Sequence, residues 1–294
     1  MVLIMRRWRL NSGYSSLTDQ RRTTAGTIPM LKHNMERNLR EFAPWTPAQI
    51  STALWLDAAD ASTITLNSTT VSQWRDKSGN GRFATQATQA NQPTYISNGM
   101  NGLGLIDLDG TNDSMTIDGG STTLHAALSA DNTYSMAWVL KADVISNSPI
   151  LLYVPESSFK FIVELKSDEG LYWGDTISNY RTYSGGSFCV VNTGTFFTLI
   201  KTGSGAGDAY SAGTLESPYA GSLAATPALT SAFILGTYPG GYDYNGKFAE
   251  IIISTYSWNT SERQSVEGYL AKKWGLQASL PNDHPYKTSS PQVD

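Results

Sequence analysis

Residues 53–117 contain three segments in quick succession: LWLDAADAST (54–63), VSQWRDKSGNGRFAT (71–85) and GLGLIDLDGTNDSMTI (102–117). The first has the composition of a short strand followed by a turn, and the second that of a strand anchored by Trp74. The third passes through a glycine-rich corner, where Asp109, Gly110 and Asn112 are typical strand-ending turn residues. The stretch therefore predicts short β-strands joined by tight turns.

The same pattern continues from Leu54 toward the C-terminus. Gly, Asn, Asp and Pro interrupt the apolar runs about every 8 to 12 residues, which is typical of an antiparallel sandwich rather than of βαβ units. Residues 203–232 are rich in Gly, Ser, Ala and Thr, which predicts a loop region with room for one or two edge strands. Further strands are predicted at 134–141, 150–154, 159–165, 171–173, 188–191, 196–202, 233–235 and 248–256.

A helix is predicted near the C-terminus. Asn259 and Glu262 are placed to form a capping box, and Gly275 is placed to end the helix. Between them, apolar residues recur at helical spacing and predict a face that packs on the sandwich. These residues are Val266, Tyr269, Leu270 and Trp274.

The three opening segments and the ending FAEIIISTYSWNTSERQSVEGYLAKKWGL (248–276) together resemble the concanavalin A-like, laminin-G-like jelly rolls of bacteriophage virion proteins and secreted bacterial proteins. The resemblance covers residues 46–286. It implies an all-β fold, a concanavalin A-like jelly-roll β-sandwich with an N-terminal arm and helix and a C-terminal helix. It implies little about chemistry, because its motifs specify a fold.

The N-terminal residues differ in charge from the rest of the chain. Residues 1–42 carry a net charge of +5, whereas the whole chain carries −4, so the remainder carries −9. We expect an anchoring arm at 1–45, with an amphipathic helix, before a jelly-roll domain at 46–294. A solvated extension is the alternative. The predicted anchor residues are Arg6, Arg7, Trp8, Arg9, Leu31, Met35, Leu39 and Phe42.

No catalytic set is evident in the sequence. Glycosidases of the concanavalin A-like fold carry alternating carboxylates on one strand, and no Glu-x-Asp-x-Glu run occurs here. Asp107 and Asp109 would lie about 6.6 to 7 Å apart along a strand, which is too far for a retaining pair and only just far enough for an inverting one, and turn residues are the favoured interpretation. The three histidines, His33, His125 and His284, are scattered along the chain. We therefore expect a protein that is not an enzyme.

Asp107, Asp109, Asn112 and Asp113 form an oxygen-rich corner in the third segment. Some laminin-G-like domains hold calcium at a loop rim, and calcium takes six to eight oxygen ligands. Two interpretations remain open, a calcium site completed by carbonyls and water, or turn capping, which the strand-ending position favours. No other cofactor is predicted.

Two groups of aromatic residues lie in loop-rich segments. Their rings could stack on sugar faces or fill a protein contact, whereas structural packing is the common use of such residues. Trp55, Trp74, Trp138 and Trp274 are expected in the core. The candidates for glycan binding are Tyr172, Trp173, Tyr180, Tyr183, Tyr238, Tyr242 and Tyr244.

Two functions follow from these observations. The first is a non-enzymatic structural protein of a bacteriophage virion, a capsid decoration or head or tail fibre module anchored to other virion proteins through its arm. The second is a lectin-like adhesin that binds a host cell-surface glycan, with or without calcium. Either is expected to be a homo-oligomer located in the virion. No signal peptide or membrane span is predicted, and nucleic acid is not the expected partner.

Overall fold

Short antiparallel strands make up most of the chain. The computed structural model describes residues 43–119, 123–155, 161–176, 179–184, 188–218, 220–226 and 229–293. Within these ranges the strands are β1 (Leu54–Asp57), β2 (Ile64–Asn67), β3 (Thr70–Arg75), β4 (Arg82–Thr85), β5 (Thr94–Ile96), β6 (Leu105–Asp109), β7 (Met115–Gly119), β8 (Tyr134–Val144), β9 (Ile150–Tyr153), β10 (Ile162–Leu165), β11 (Leu171–Thr176), β12 (Asn179–Tyr183), β13 (Thr195–Gly203), β14 (Ala206–Ser211), β15 (Thr214–Glu216), β16 (Ala220–Gly221), β17 (Phe233–Leu235) and β18 (Asn245–Ser254).

Helical segments are few in the same ranges. The α-helices are α1 (Leu124–Ala130) and α2 (Thr260–Trp274). Short 3₁₀ helices occupy Pro47–Gln49, Ala61–Thr63, Gln89–Asn91, Met100–Gly102 and Gln277–Ser279. Among the described residues no helix is both long and apolar enough to cross a membrane.

The strands form two antiparallel layers, which we call sheet I and sheet II. Sheet I runs β15-β14-β13-β8-β18; the C-terminal half of β18 then pairs with β1, its N-terminal half pairs with β6, and β5 follows β6. Sheet II runs β2-β3-β4-β7-β17-β9-β10-β11-β12-β16. One pairing, Thr70 with Thr94, connects β3 of sheet II to β5 of sheet I. The all-β sandwich predicted from the sequence is confirmed.

Alternation along the strands sorts the side chains into three apolar layers. Trp138 of β8 points into the core between the sheets, while its neighbours Ala137 and Val139 point to the outer face of sheet I. Both faces of β8 and β18 are buried, because a helix covers the second face. A third apolar cluster, centred on Ile150, Tyr153 and Ile162, lies on the outer face of sheet II.

The helix predicted near the C-terminus is confirmed as α2. Asn259 Oδ1 accepts from the backbone N–H of Glu262 at 3.0 Å, and Glu262 Oε2 accepts from the backbone N–H of Asn259 at 2.9 Å. Gly275 ends the helix at φ 74°, a left-handed conformation that glycine adopts without a Cβ clash. Val266, Leu270 and Trp274 are buried against the outer face of sheet I.

A buried carboxylate fixes this helix to the sheet. Glu250 lies in β18 and has no exposed surface. One of its oxygens accepts from Trp55 Nε1 at 2.7 Å and from the Tyr269 hydroxyl at 2.9 Å. The other accepts from Lys273 Nζ at 2.8 Å and from Trp274 Nε1 at 2.7 Å. Because the four donors come from β1 and α2, the carboxylate ties the helix to two strands of sheet I.

The hydrogen-bond network extends to the turn that follows β1. Lys273 Nζ also lies 2.6 Å from Asp57 Oδ1, and Lys77 Nζ lies 2.8 Å from Asp57 Oδ2. Lys77 reaches Asp60 at 2.9 Å as well. Buried charges are tolerated only when they are paired and hydrogen-bonded, and each carboxylate here meets that condition.

The C-terminal tail returns over α2. His284 Nε2 lies 3.2 Å from the buried Glu267, and the Tyr286 ring packs against Gly268, where a Cβ would come within 2.6 Å of it. The tail then runs beside the start of the described chain, where the Trp45 N–H donates to the Pro291 carbonyl at 3.1 Å. These residues belong to one compact unit, Ala43–Val293.

Two parts of the sequence prediction need correction. Residues 188–191 were predicted as a strand, but they lead into a turn in which the Thr193 N–H donates to the Val190 carbonyl. Phe188 and Cys189 still fill the core, so their apolar character reflects burial and not strand pairing. In addition, no helix was predicted around His125, which lies in α1, whose Leu128 packs into the core.

Other expectations hold. Residues 203–232 contain the edge strands β15 and β16 together with β14, and the four tryptophans expected in the core are buried. The arm was predicted to extend to residue 45, yet Trp45 is buried and its ring packs on Tyr269 with centroids 6.0 Å apart. The predicted arm helix lies outside the described residues.

Glu250→Ala should lower the free energy of unfolding by about 3–5 kcal/mol, since it leaves Lys273 and two indole N–H groups without their buried acceptor. Urea unfolding followed by tryptophan fluorescence would measure this loss. Glu216→Ala, at the half-exposed edge strand β15, is the control and should change stability by less than about 0.5 kcal/mol. A loss below about 1 kcal/mol for Glu250→Ala would contradict the role given to this carboxylate.

Candidate functional site

The outer face of sheet II carries a patch of aromatic side chains. Tyr172 lies on β11 and Tyr180 on β12, and both rings are half-buried. They stack with centroids 4.3 Å apart and an angle of 24° between their planes. Gly174 pairs with Tyr180 across the two strands, and a Cβ at Gly174 would come within 2.7 Å of Tyr180. The missing side chain thus gives Tyr180 the space to lean toward Tyr172.

A glycine-rich turn brings two more tyrosines to this face. Tyr238 and Tyr242 flank Gly240 and Gly241, whose φ values of 111° and 88° suit glycine and reverse the chain between β17 and β18. The turn is held to β9, because the Ile150 N–H donates to the Tyr242 carbonyl at 3.0 Å. The Tyr238 and Tyr242 rings meet edge to face, with centroids 5.8 Å apart.

Two charged side chains lie among these rings. Glu164 of β10 pairs in register with Tyr172 of β11, so the two side chains are cross-strand neighbours on one face. Lys166 follows two positions later; its Nζ lies 3.6 Å from Glu164 Oε1 and 5.9 Å from the centre of the Tyr172 ring. Burial raises the pKa of Glu164, and Lys166 opposes that shift. Burial also raises the pKa of Tyr172 well above its ordinary value, so its hydroxyl stays protonated.

These residues enclose a pocket of about 460 Å³. That volume lies within the range of small-molecule sites, about 300–1,000 Å³. Its described lining mixes aromatic and aliphatic surface with one carboxylate and one ammonium group. The lining residues are Ser148, Ile150, Ile162, Glu164, Lys166, Tyr172, Tyr238 and Tyr242.

The structure thus divides the seven aromatic residues proposed for glycan binding. Tyr172, Tyr180, Tyr238 and Tyr242 gather on the outer face of sheet II, although the two pairs are about sixty residues apart in the sequence. The prediction of glycan binding is corrected for Trp173, Tyr183 and Tyr244, because all three are buried in the core between the sheets. For Trp173 and Tyr183 the reason is strand alternation, which sends neighbouring side chains to opposite faces. Tyr244 instead precedes β18 and stacks on the core residue Phe248.

Sequence reasoning missed the charged part of this pocket. Neither Glu164 nor Lys166 is among the site residues predicted from the sequence. The available signal was the alternation of Ile162, Glu164 and Lys166 with Val163 and Leu165, which places a charge pair on the face opposite the core. What lies beside that pair depends on pairing with β9 and β11, which no local pattern specifies.

The carboxylates of the oxygen-rich corner form ion pairs and turn caps. Asp107 pairs with Lys247 at 3.1 Å, and Lys247 also pairs with Asp143. Asp109 Oδ1 accepts from the N–H groups of Thr111 at 2.8 Å and Asn112 at 3.4 Å, which is turn capping.

Asp113 Oδ2, in turn, accepts from the backbone N–H of Asp109 at 3.1 Å. Within the described part of the chain, no three His, Cys, Asp or Glu side chains are arranged to hold a metal ion. The proposed calcium site at Asp107, Asp109, Asn112 and Asp113 is therefore corrected in favour of turn capping. The proposed anchor residues, from Arg6 to Phe42, lie outside the described residues.

Comparisons with known proteins support the architecture. No protein-family model matches the sequence, and no curated protein matches it. Domain 4 of AbnA, a GH43 extracellular arabinanase from Geobacillus stearothermophilus solved with arabinotriose, is 14% identical with a TM-score of 0.50, covering 72% of this chain and 96% of that domain. The receptor-binding domain of botulinum neurotoxin D is 12% identical with a TM-score of 0.51, covering 74% of this chain.

Trypanosoma rangeli sialidase also matches, with 13% identity and a TM-score of 0.49 over 81% of this chain. The chain spans 38% of the length of the sialidase and 52% of that of the neurotoxin structure. At these identities the likeness shows the fold alone. The chain is an antiparallel β-sandwich of the jelly-roll type.

The charge of Asp113 offers a way to test whether the oxygen-rich corner is a turn cap or a metal site. Burial, with Asp109 and Asp107 nearby, raises its pKa from 3.8 to about 6. An acid with a raised folded-state pKa favours folding while protonated, so its contribution is complete below 3.8 and is lost as the pH rises through 6. Asp113→Asn keeps an acceptor for the Asp109 N–H and removes the charge.

The variant should therefore melt at a higher temperature than the wild type at pH 8 and at nearly the same temperature at pH 4. Differential scanning calorimetry in the presence of a chelator would measure both. The metal site would instead be favoured if the variant melted at a lower temperature than the wild type at pH 8, and if added calcium raised the melting temperature of the wild type alone.

Proposed function

We propose that the protein is a non-enzymatic carbohydrate-binding jelly roll and that the tyrosine-lined pocket on the outer face of sheet II holds the sugar. One observation carries the proposal: three tyrosines from two distant segments, Tyr172, Tyr238 and Tyr242, line one pocket beside Glu164 and Lys166. This corresponds to the lectin-like alternative from the sequence, without its calcium.

The chemistry of the lining suits a sugar. One face of a sugar ring carries C–H groups and is apolar, whereas its edge carries hydroxyls. Flat, half-exposed tyrosine rings offer apolar surface for such a face, and their hydroxyls remain available as hydrogen-bond partners. Tyr242 is 41% exposed, an unusual position for a large aromatic side chain with a purely structural role.

The fold comparison is compatible with this proposal. A solved structure with this architecture, domain 4 of the arabinanase, holds arabinotriose. That statement concerns the arabinanase domain, and the identity of 14% transfers no binding residue to this chain. The proposal therefore depends on the pocket itself.

The absence of catalysis is part of the proposal. Hydrolysis of a glycosidic bond normally uses two carboxyl groups on either side of the bond. Among the described lining residues Glu164 is the one carboxylate, and its neighbour is Lys166. The described lining can hold a sugar, and it supplies one of the two acids that bond cleavage normally uses.

The narrower role in a bacteriophage virion remains a prediction. It depends on the family resemblance and on an anchoring arm at residues 1–45, of which residues 1–42 carry a net charge of +5. Virion partners, homo-oligomer formation and location in the particle belong to the same prediction. Immunogold electron microscopy of purified particles should show the protein at defined capsid or tail positions, and unlabelled particles would contradict it.

Binding to immobilised glycans tests the proposed function. We expect the full-length protein to bind a subset of a glycan array, and we expect the affinity for its best glycan to fall about tenfold in Tyr172→Ala and in Tyr242→Ala. Leu215→Ala, at a residue 58% exposed on sheet I, is the control and should bind as the wild type does. Absence of any array signal, or equal binding by all variants, would contradict the proposal.

A further inference from the structure

The charges in the pocket form a balanced pair. Glu164 and Lys166 are the charged residues of its described lining, and they project from the same face of β10 and its continuation. The side chain of Glu164 is 15% exposed and that of Lys166 is 32% exposed. The described lining therefore offers one anionic and one cationic group, partly shielded from water, and these two charges balance.

The two groups do not satisfy each other fully. Their N–O separation of 3.6 Å exceeds the usual hydrogen-bond range of about 2.7–3.2 Å. Burial raises the pKa of Glu164, whereas the charge of Lys166 and hydrogen bonding with Ser148, another lining residue, lower it. An ionised carboxylate has about four acceptor positions and an ammonium three donors, so both groups keep hydrogen-bonding capacity.

We infer that the Glu164–Lys166 pair makes the pocket selective for uncharged sugars, by binding neighbouring hydroxyls of one sugar ring while Tyr172 contacts the face of that ring. The inference rests on the proposed function and adds the class of ligand. A hydroxyl is both donor and acceptor, so one hydroxyl can donate to Glu164 while its neighbour accepts from Lys166. Hydrogen bonds to charged groups are stronger than those between neutral groups.

Charged ligands gain little in such a site. The attraction of an acidic sugar to Lys166 is offset by repulsion from Glu164, while the cost of desolvating the ligand's carboxylate remains. A cation such as choline meets the reverse arrangement: the tyrosines and Glu164 attract it, and Lys166 repels it. An uncharged polyol avoids both penalties and uses both charged groups.

The test compares matched sugars that differ in charge. A glycan array first ranks neutral and acidic glycans. The full-length protein is then titrated by calorimetry with two matched pairs, galactotriose with trigalacturonate and lactose with 3′-sialyllactose, and with choline. In the wild type, Kd for the acidic member of the bound pair should exceed Kd for the neutral member by at least about tenfold. Choline should bind more weakly than the neutral sugar.

The variants should shift this ratio in opposite directions. Glu164→Gln removes the repulsive charge and should lower the acidic-to-neutral Kd ratio about tenfold or more, whereas Lys166→Met should raise it and weaken neutral binding about tenfold. Glu216→Gln, which removes the same charge at the edge of sheet I, is the matched control and should leave the ratio unchanged. Its result separates a local effect from a change in net charge.

The outcomes separate the inference from the function it rests on. If the wild type binds no sugar at all, both fail. If it binds sugars but prefers the acidic members or choline, or if Glu164→Gln keeps the wild-type ratio, the inference is overturned while the carbohydrate-binding function stands.

Discussion

The carboxylate of Glu250 is the constraint on which the arrangement of this molecule depends. It lies without exposed surface in the central strand of sheet I and accepts four hydrogen bonds from β1 and α2. A charge buried in this way is stable only with all its partners in place, so strand, helix and first turn must assemble together. The network thereby specifies where α2 lies, a choice that non-directional apolar packing leaves less well determined.

The position of the helix has a consequence for function. With α2 and the C-terminal tail packed on sheet I, the outer face of that sheet is covered and its apolar residues are core. The outer face of sheet II carries the cluster around Ile150 and Tyr153 together with half-exposed tyrosines. Both faces of sheet I therefore belong to the core of the domain, whereas the outer face of sheet II presents a surface with a pocket.

The pocket combines features that differ in purpose. Its aromatic walls provide apolar area without requiring strict geometry, whereas the Glu164–Lys166 pair provides directional hydrogen bonds and a charge balance. In a binding site the first feature contributes affinity and the second contributes selectivity. The short β10 and β11 strands hold both, since Glu164 and Tyr172 are register partners.

The sequence by itself determined the class of fold, the capped helix α2, the buried tryptophans and the tyrosine segments, because each depends on local periodicity, capping or turn chemistry. It could not determine which tyrosines face outward together, nor that Glu250 holds α2 to sheet I and that Glu164 lines the pocket. Those depend on strand pairings such as β9 with β10, and β9 with β17, the second of which joins residues about eighty positions apart. Local patterns give each strand its two faces, and only the tertiary structure decides what each face meets.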